Sequence, residues 1–196
     1  MIIQEKRNLL NSPIFMRVKD GISLDTVAEF EDKLRICIKI EQNIFPIIID
    51  SNGGCAYSLI SLYEIIEKVN KTNKVKIATI VESKAFSCAA ILLSCGTKGF
   101  RFASQNSSIM IHDVKTTYSG KTEDIKADAL ETERLNNLMY DILKFNSNNV
   151  NFKKIMNKNN FSDLYFGSNE ALNYGLVDKI GVPTLKAKVC YSLEIE

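Results

Sequence analysis

The chain has one histidine, three prolines and no tryptophan among its 196 residues. With His112 as the single imidazole, a structural zinc site is not expected. The five cysteines (Cys37, Cys55, Cys88, Cys95 and Cys190) are odd in number and show no CxxC spacing. They therefore give neither a metal knuckle nor a disulfide framework, and read as free thiols of a reducing compartment, the cytoplasm. Long apolar runs are missing as well. The longest, "FPIIID" and "AAILLSC", fall far short of the ~20 residues that cross a bilayer. The N-terminal "MIIQEKRNLLNSP" lacks the apolar core of a secretory leader. Charge of one sign is also lacking: 25 basic residues face 23 acidic ones, a formal net charge of +2. That balance gives no electrostatic case for nucleic acid or an anionic membrane as partner. Nine glycines and three prolines leave no room for a fibrous repeat or a Gly/Pro-rich linker.

What is present is 45% apolar and 24% charged residues, enough for one full core. Residues 1–196 are accordingly read as a single domain. In 24–40, Val27, Phe30, Leu34 and Ile38 recur at helical spacing, with Ser23 or Asp25 as N-cap. "IFPIIID" is a continuous β-branched run, the pattern of a strand covered on both faces. It leads into "SNGG", a glycine turn, and then a helix with Leu59, Leu62, Ile66 and Val69 on one side. "KVKIATIV" at 74–81 predicts a strand and "FSCAAILLSCG" at 86–96 a buried helix. "GFRFAS" and "SSIMIHD" predict two more strands, and "NKTNK" (70–74) and "NSNNVNF" (146–152) polar loops. This alternation argues an α/β fold with a largely parallel sheet. After it, 122–145 forms a long amphipathic helix without glycine or proline. Ile125, Leu135, Leu138, Met139, Ile142 and Leu143 form its stripe, and its length suits assembly better than a compact core.

Three places carry chemistry. In "DSNGG", Gly53 and Gly54 allow backbone N–H groups to face an oxyanion; the plainer alternative is a tight strand-to-helix turn. No Lys-Ser/Thr follows, so a nucleotide loop is not expected. Ser87 opens the helix "SCAAILL", where the positive helix end favours developing negative charge, although a serine there is ordinarily just an N-cap. His112 closes the strand "IMI" at its carboxyl end, where α/β sheets place ligands and catalytic groups. If a histidine acts as general base in this protein, it is His112. The residues point to a Ser–His pair with a glycine oxyanion turn. The acid stays open among Asp163, Asp50, Asp113, Asp124 and Asp178.

With these residues in place, the chain resembles the proteolytic subunit of the Clp protease (ClpP), a self-compartmentalising serine peptidase. The resemblance rests on Gly53–Gly54 after a buried strand, on "AFSCAAILL" around Ser87, and on "GTKGFRFASQNSSIMIHD" running without gaps to His112. It closes with "EALNYGLVDKIG" at 170–181 and covers roughly residues 20–182. It implies a ClpP/crotonase-like fold of stacked ββα units: a head of about 20–118 and 150–182, a protruding handle helix of about 122–145, and short terminal extensions. Counted back from the closing motif, the family's catalytic aspartate falls on Asp163. The resemblance further implies Ser87 as nucleophile, His112 as base, and an oxyanion hole from the N–H groups of Gly54 and Cys88. Gly53, Gly54, Cys55 and Asp113 would line the substrate groove. No metal or cofactor would be bound by the chain, and ATP would be used by a partner AAA+ unfoldase. Polypeptide substrates would be cut inside heptameric rings, two of which form a tetradecamer through the handle.

Several positions depart from the family pattern. Asn52 stands where proline is usual before the glycine pair, Cys88 where methionine follows the nucleophile, and bulky Phe86 where a small residue precedes it. Phe161 and Ser162 replace a charged pair that links rings. Pro46 and Ile48 replace tyrosines where an unfoldase docks, and the segment after the glycine-turn helix is a few residues longer. These departures mark a divergent member. Two other functions are carried alongside: a catalytically silent ring subunit that scaffolds an active paralogue, and a crotonase-type acyl-CoA enzyme. The crotonase reading has no basic cluster in its favour for the CoA phosphates.

Overall fold

The computed structural model describes residues 13–72 and 74–186. The N-terminal stretch read for a leader falls almost wholly outside these residues, as does Cys190. Two 11-residue strands, β2 (Ile44–Gly54) and β3 (Lys76–Phe86), run parallel through the centre. β1 (Met16–Ile22) lies parallel on the far side of β2. Phe45, Ile47, Ile49, Ile77 and Val81 point into the core with at most 1% of their surface exposed. The opposite face is only partly covered. There Ile48, Pro46 and Ile80 line an apolar groove with Phe15 and Phe102, so the run "FPIIID" is apolar on both sides yet sealed on one.

β3 has different neighbours along its length. Its first half pairs with β4 (Arg101–Ala103), beyond which lies β7 (Lys179–Ile180). Its second half pairs with β5 (Ser108–His112), and β6 (Asp163–Gly167) joins β5 antiparallel, against an otherwise parallel sheet. The β2–β3 register shifts between Ile49 and Ser51, the kind of irregularity that bends strands. Gly53 and Gly54 on β2, and Ser87 just after β3, lie past that shift.

The helices follow their apolar spacing with informative exceptions. α1 (Leu24–Lys39) starts at Ser23, which forms a reciprocal capping box with Thr26. It buries Phe30, Leu34 and Cys37, while Ile38, expected inside, is 52% exposed. The inward face drifts one residue because a 3.6-residue period does not return to the same angle after four. α2 (Ala56–Thr72) buries Leu59, Leu62 and Ile66, and continues through the 70–72 stretch read as loop. In α3 (Cys88–Ser94) all seven residues are buried. α4 (Thr122–Asn146) packs only its C-terminal half, through Leu135, Met139, Ile142 and Leu143, and leaves Ile125 and Leu130 exposed. α5 (Phe152–Asn159) was not anticipated; it is capped by Asn151 and anchored by Phe152, which stacks on Phe166. α6 (Ser168–Tyr174) leads back to β7.

One buried ion pair fastens these parts together. Arg101 is 2% exposed, and it donates to Asp178 through Nε (2.9 Å) and Nη2 (2.5 Å), and to the Asn146 carbonyl through Nη1 (2.6 Å). Burial works against the Asp178 carboxylate. The Arg101 guanidinium and the backbone N–H groups of Arg101 and Gly99 nonetheless hold it below its usual range. Asp178, one of the candidate acids, is thereby committed to holding β4, the approach to β7 and the end of α4 in register. Among the described residues, no helix is long and apolar enough to cross a membrane.

Candidate active site

The glycine pair belongs to the end of β2, where Gly53 and Gly54 pair with Gly21 and Ile22 of β1. The expected glycine turn is thus a strand end, and the chain bends only at Cys55. Both glycines have positive φ, 110° and 146°. A Cβ on Gly53 would lie 2.6 Å from the Ser87 Cβ, and one on Gly54 would lie 2.3 Å from the Ile22 carbonyl oxygen. Only glycine lets the β2 backbone come this close to Ser87.

Ser87 sits between β3 and α3 with φ 56° and ψ −126°, a conformation that L side chains rarely adopt. Its N–H donates to the Met110 carbonyl on β5 (2.8 Å), and its carbonyl accepts from Ala90 (3.0 Å). The side chain makes no capping hydrogen bond. The plainer reading of Ser87 as an N-cap therefore fails: the backbone is strained, and the hydroxyl lies against the Cys88 thiol and not on the N–H groups of the helix end. Cys88 follows as the first helical residue, with its thiol donating to the Gly54 carbonyl (3.4 Å) and pushed by burial to a pKa of about 11. Phe86 turns away from the groove and packs edge-on against Tyr165, with centroids 5.6 Å apart.

His112 and Asp163 are direct cross-strand partners in the β5–β6 ladder. That pairing places their Cβ atoms on one face within side-chain reach. His112 Nδ1 lies 3.7 Å from Asp163 Oδ1, too long for a hydrogen bond, and is buried with no hydrogen-bond partner. The same Asp163 oxygen is 3.1 Å from Lys115 Nζ. Burial, foremost, and the Lys115 charge lower the imidazole pKa, against opposing pulls from Asp163 and Asp113. Asp113 accepts a hydrogen bond from the Tyr140 hydroxyl (2.7 Å).

These groups border a groove of about 590 Å³ that includes Asn52, Gly54, Cys55, Ser87, Cys88 and His112 in its lining. Its far wall is α4, tied across the groove by the Tyr57 hydroxyl donating to Glu131 (2.7 Å). Cys55 is exposed at the rim, and the neighbouring Ser58 N–H, foremost, holds its thiol below the ordinary value. Behind Ser87 is a small recess of about 20 Å³ between Ile91, Ile111, Val114, Met139 and Leu143.

The structure thus brings Ser87, His112, Gly54, Cys55 and Cys88 to the lining of one groove, with Gly53 packed against Ser87 and Asp163 beside His112; Gly53, Asp113 and Asp163 are not part of that lining. Asp113 is two-sided, next to His112 in sequence but engaged with Tyr140. Asp50 and Asp124 are not drawn in. Lys115 was missed by sequence reasoning; a polar residue in "DVKTTYSGK" carries no signal until β6 brings Asp163 beside it. Among the described residues there is no cluster of three His, Cys, Asp or Glu side chains that could hold a metal ion.

The family model for Clp protease matches residues 12–184. The chain is also 34% identical over 134 residues to "ATP-dependent Clp protease proteolytic subunit 2" of Frankia casuarinae. That match covers 68% of this chain and spans 59% of the relative's own length.

Proposed function

The chain belongs to the Clp protease family, and from that premise we propose that it is a serine endopeptidase using Ser87, His112 and Asp163. The observation that carries this reading is the state of Ser87. Its hydroxyl is released from capping, its backbone is held in a strained turn, and it faces a groove with the single imidazole of the chain.

In the proposed reaction, an extended peptide lies in the groove beside the end of β2. Ser87 Oγ attacks the scissile carbonyl while His112 Nε2 takes the proton. The N–H groups of Gly54 and Cys88 face the developing oxyanion; such donors are each worth about 3 kcal/mol. The imidazolium returns the proton to the leaving amine, and water then hydrolyses the acyl-enzyme by the same route. Asp163 orients the ring and stabilises its charged form. Gly54 and Cys55 form one wall of the groove, Gly53 lies against Ser87, and Asp113 is held by the Tyr140 hydroxyl.

We further infer that this single peptidase unit works as a heptameric ring, alone or doubled through α4. An ATP-using AAA+ unfoldase would deliver unfolded polypeptides in the cytoplasm. Support for a docked partner is the apolar groove of about 320 Å³ between Phe15, Pro46, Ile48 and Phe102, which retains an apolar lining without the usual tyrosines. One observation favours a second reading, a ring subunit that does not cleave by itself: His112 Nδ1 lacks its orienting partner. Hydrolysis of short fluorogenic peptides by the purified chain separates the two. Under the peptidase reading the parent turns over and Ser87→Ala does not. Equal rates from both would end the assignment of Ser87, and no turnover from an intact ring would favour the scaffold.

A further inference from the structure

Asp163 faces two side chains that can pair with its carboxylate. One is His112, which becomes positive as it takes the Ser87 proton. The other is Lys115, which is already positive. In this structure Lys115 holds the contact: its Nζ is 3.1 Å from Asp163 Oδ1, while His112 Nδ1 stands at 3.7 Å from that same oxygen. Closing the second gap to a hydrogen bond of ~2.8 Å requires a carboxylate movement of roughly 1 Å. The Nδ1 atom meanwhile remains buried and unpartnered, a costly state that other contacts must sustain.

We propose that Lys115 is a positioning residue of this site: its ammonium withholds the Asp163 carboxylate from His112, and the triad closes when Lys115 is drawn away into the groove. The proposal rests on the peptidase reading for its consequence in catalysis, but the competition for Asp163 stands on the geometry alone.

Three features make the arrangement workable. Lys115 is 66% exposed on its side chain, and ion pairs this exposed are weakly held, so a groove occupant can release it. It also lines the groove, so a peptide carboxylate or carbonyl lying there competes for the same ammonium. Finally, the segment that bears it is tied to α4 at two places. The Val114 N–H donates to Asn136 Oδ1 (2.6 Å), and the Tyr118 hydroxyl meets the Thr132 hydroxyl. Lys115 is therefore tethered to α4, while Asp163 belongs to β6.

The charged and titratable groups facing His112 are few. Lys115 comes from the strap after β5 and Asp163 from β6. Asp113 lies on the strap itself, hydrogen-bonded to Tyr140 of α4, and the buried Cys88 thiol belongs to α3. Removing the Lys115 charge acts on His112 twice in one direction. A repelling cation disappears, and the freed carboxylate approaches; both favour the imidazolium and raise its pKa.

His112 is the sole histidine, which makes the test direct. Hydrogen–deuterium exchange at the histidine Cε1, followed by mass spectrometry across pH, reads its titration in the full chain in whatever assembly it forms. The set is the parent, Lys115→Met, Lys115→Arg, Asp163→Asn and the Lys115→Met/Asp163→Asn pair. Because Lys115 is exposed, its replacement leaves the fold intact. The titration midpoint is expected to rise in Lys115→Met, to stay near the parent's in Lys115→Arg, and to respond more to Asp163→Asn in the Lys115→Met background than in the parent. A midpoint unmoved by Lys115→Met, or equal effects of Asp163→Asn in both backgrounds, would overturn the proposal.

A second readout is the rate at which a fluorophosphonate labels Ser87. The loss on Asp163→Asn is expected to be at least about tenfold larger in Lys115→Met than in the parent. Additive losses contradict the positioning role. If nothing labels in any variant, the peptidase reading falls, and the exchange titration still decides whether Lys115 governs Asp163.

Discussion

Ser87 bears a backbone strain that its side chain does not offset. A residue at φ 56° and ψ −126° costs on the order of 1–3 kcal/mol, and its side chain makes no cap to offset that cost. Glycine adopts this conformation freely. Ser87→Gly is therefore expected to raise the unfolding free energy by about 1 kcal/mol in chemical denaturation while removing all hydrolysis. A variant that is less stable than the parent would mean that the hydroxyl serves the fold. His112 supplies a second prediction at this scale. Its pKa lies below the ordinary histidine value because of burial and Lys115, and the base must be neutral to act. Activity should fall as pH drops through that lowered pKa, so the acid limb of kcat/KM is expected below pH ~6.5. The linkage has the same sign. The unfolded chain binds this proton first, so the His112 contribution to stability is present above the unfolded pKa and lost as pH falls through the folded one. An acid limb above ~6.5 would place the base elsewhere or its surroundings otherwise.

At the scale of elements, what the sequence disclosed depended on how strongly each segment's pattern repeats. The β-branched runs of β2 and β3 and the stripes of α1, α2 and α4 repeat often enough to be read directly. α5 offers only Phe152 and Met156 as buried contacts, and β6 only Leu164 and Phe166. Neither gives a period that stands out from a polar loop. That is why Asp163 could be placed by resemblance but not by its own residues: its partnership with His112 exists only in the antiparallel β5–β6 register. Ser87 and His112 were legible because small residues lead into one apolar run and the other run ends on the only imidazole. Asp178 shows the converse, an acid indistinguishable in sequence that the fold assigns to Arg101. Asp178→Asn leaves a buried guanidinium short of its counter-charge and is expected to cost about 3 kcal/mol by chemical denaturation. The depressed carboxyl implies that this contribution is present above the unfolded pKa and lost as pH falls through the folded one. A loss under 1 kcal/mol would mean that the pair is dispensable to the β4–β7 edge.

At the scale of the molecule, the N-terminal half of α4 is the stretch that a single chain leaves unpacked. It is largely exposed, with Leu130 68% accessible, and Phe145 near the end of the helix is 71% accessible. Apolar side chains standing out on a long helix are suited to burial against another copy. Leu130→Asp is therefore expected to shift the assembly toward smaller species in sedimentation while leaving the helical signal unchanged. An unaltered distribution would place the contacts between copies elsewhere. Because α4 also forms the far wall of the groove and holds the strap bearing Lys115, a contact made by another copy on this helix would reach the geometry of His112 and Asp163.

His112 is proposed to activate Ser87 for attack. Intact mass after incubation with a fluorophosphonate, on the parent and on Ser87→Ala, tests it most directly. A single adduct is expected on the parent and none on the variant. An adduct that persists on Ser87→Ala, or an assembled parent that stays unlabelled, would contradict it.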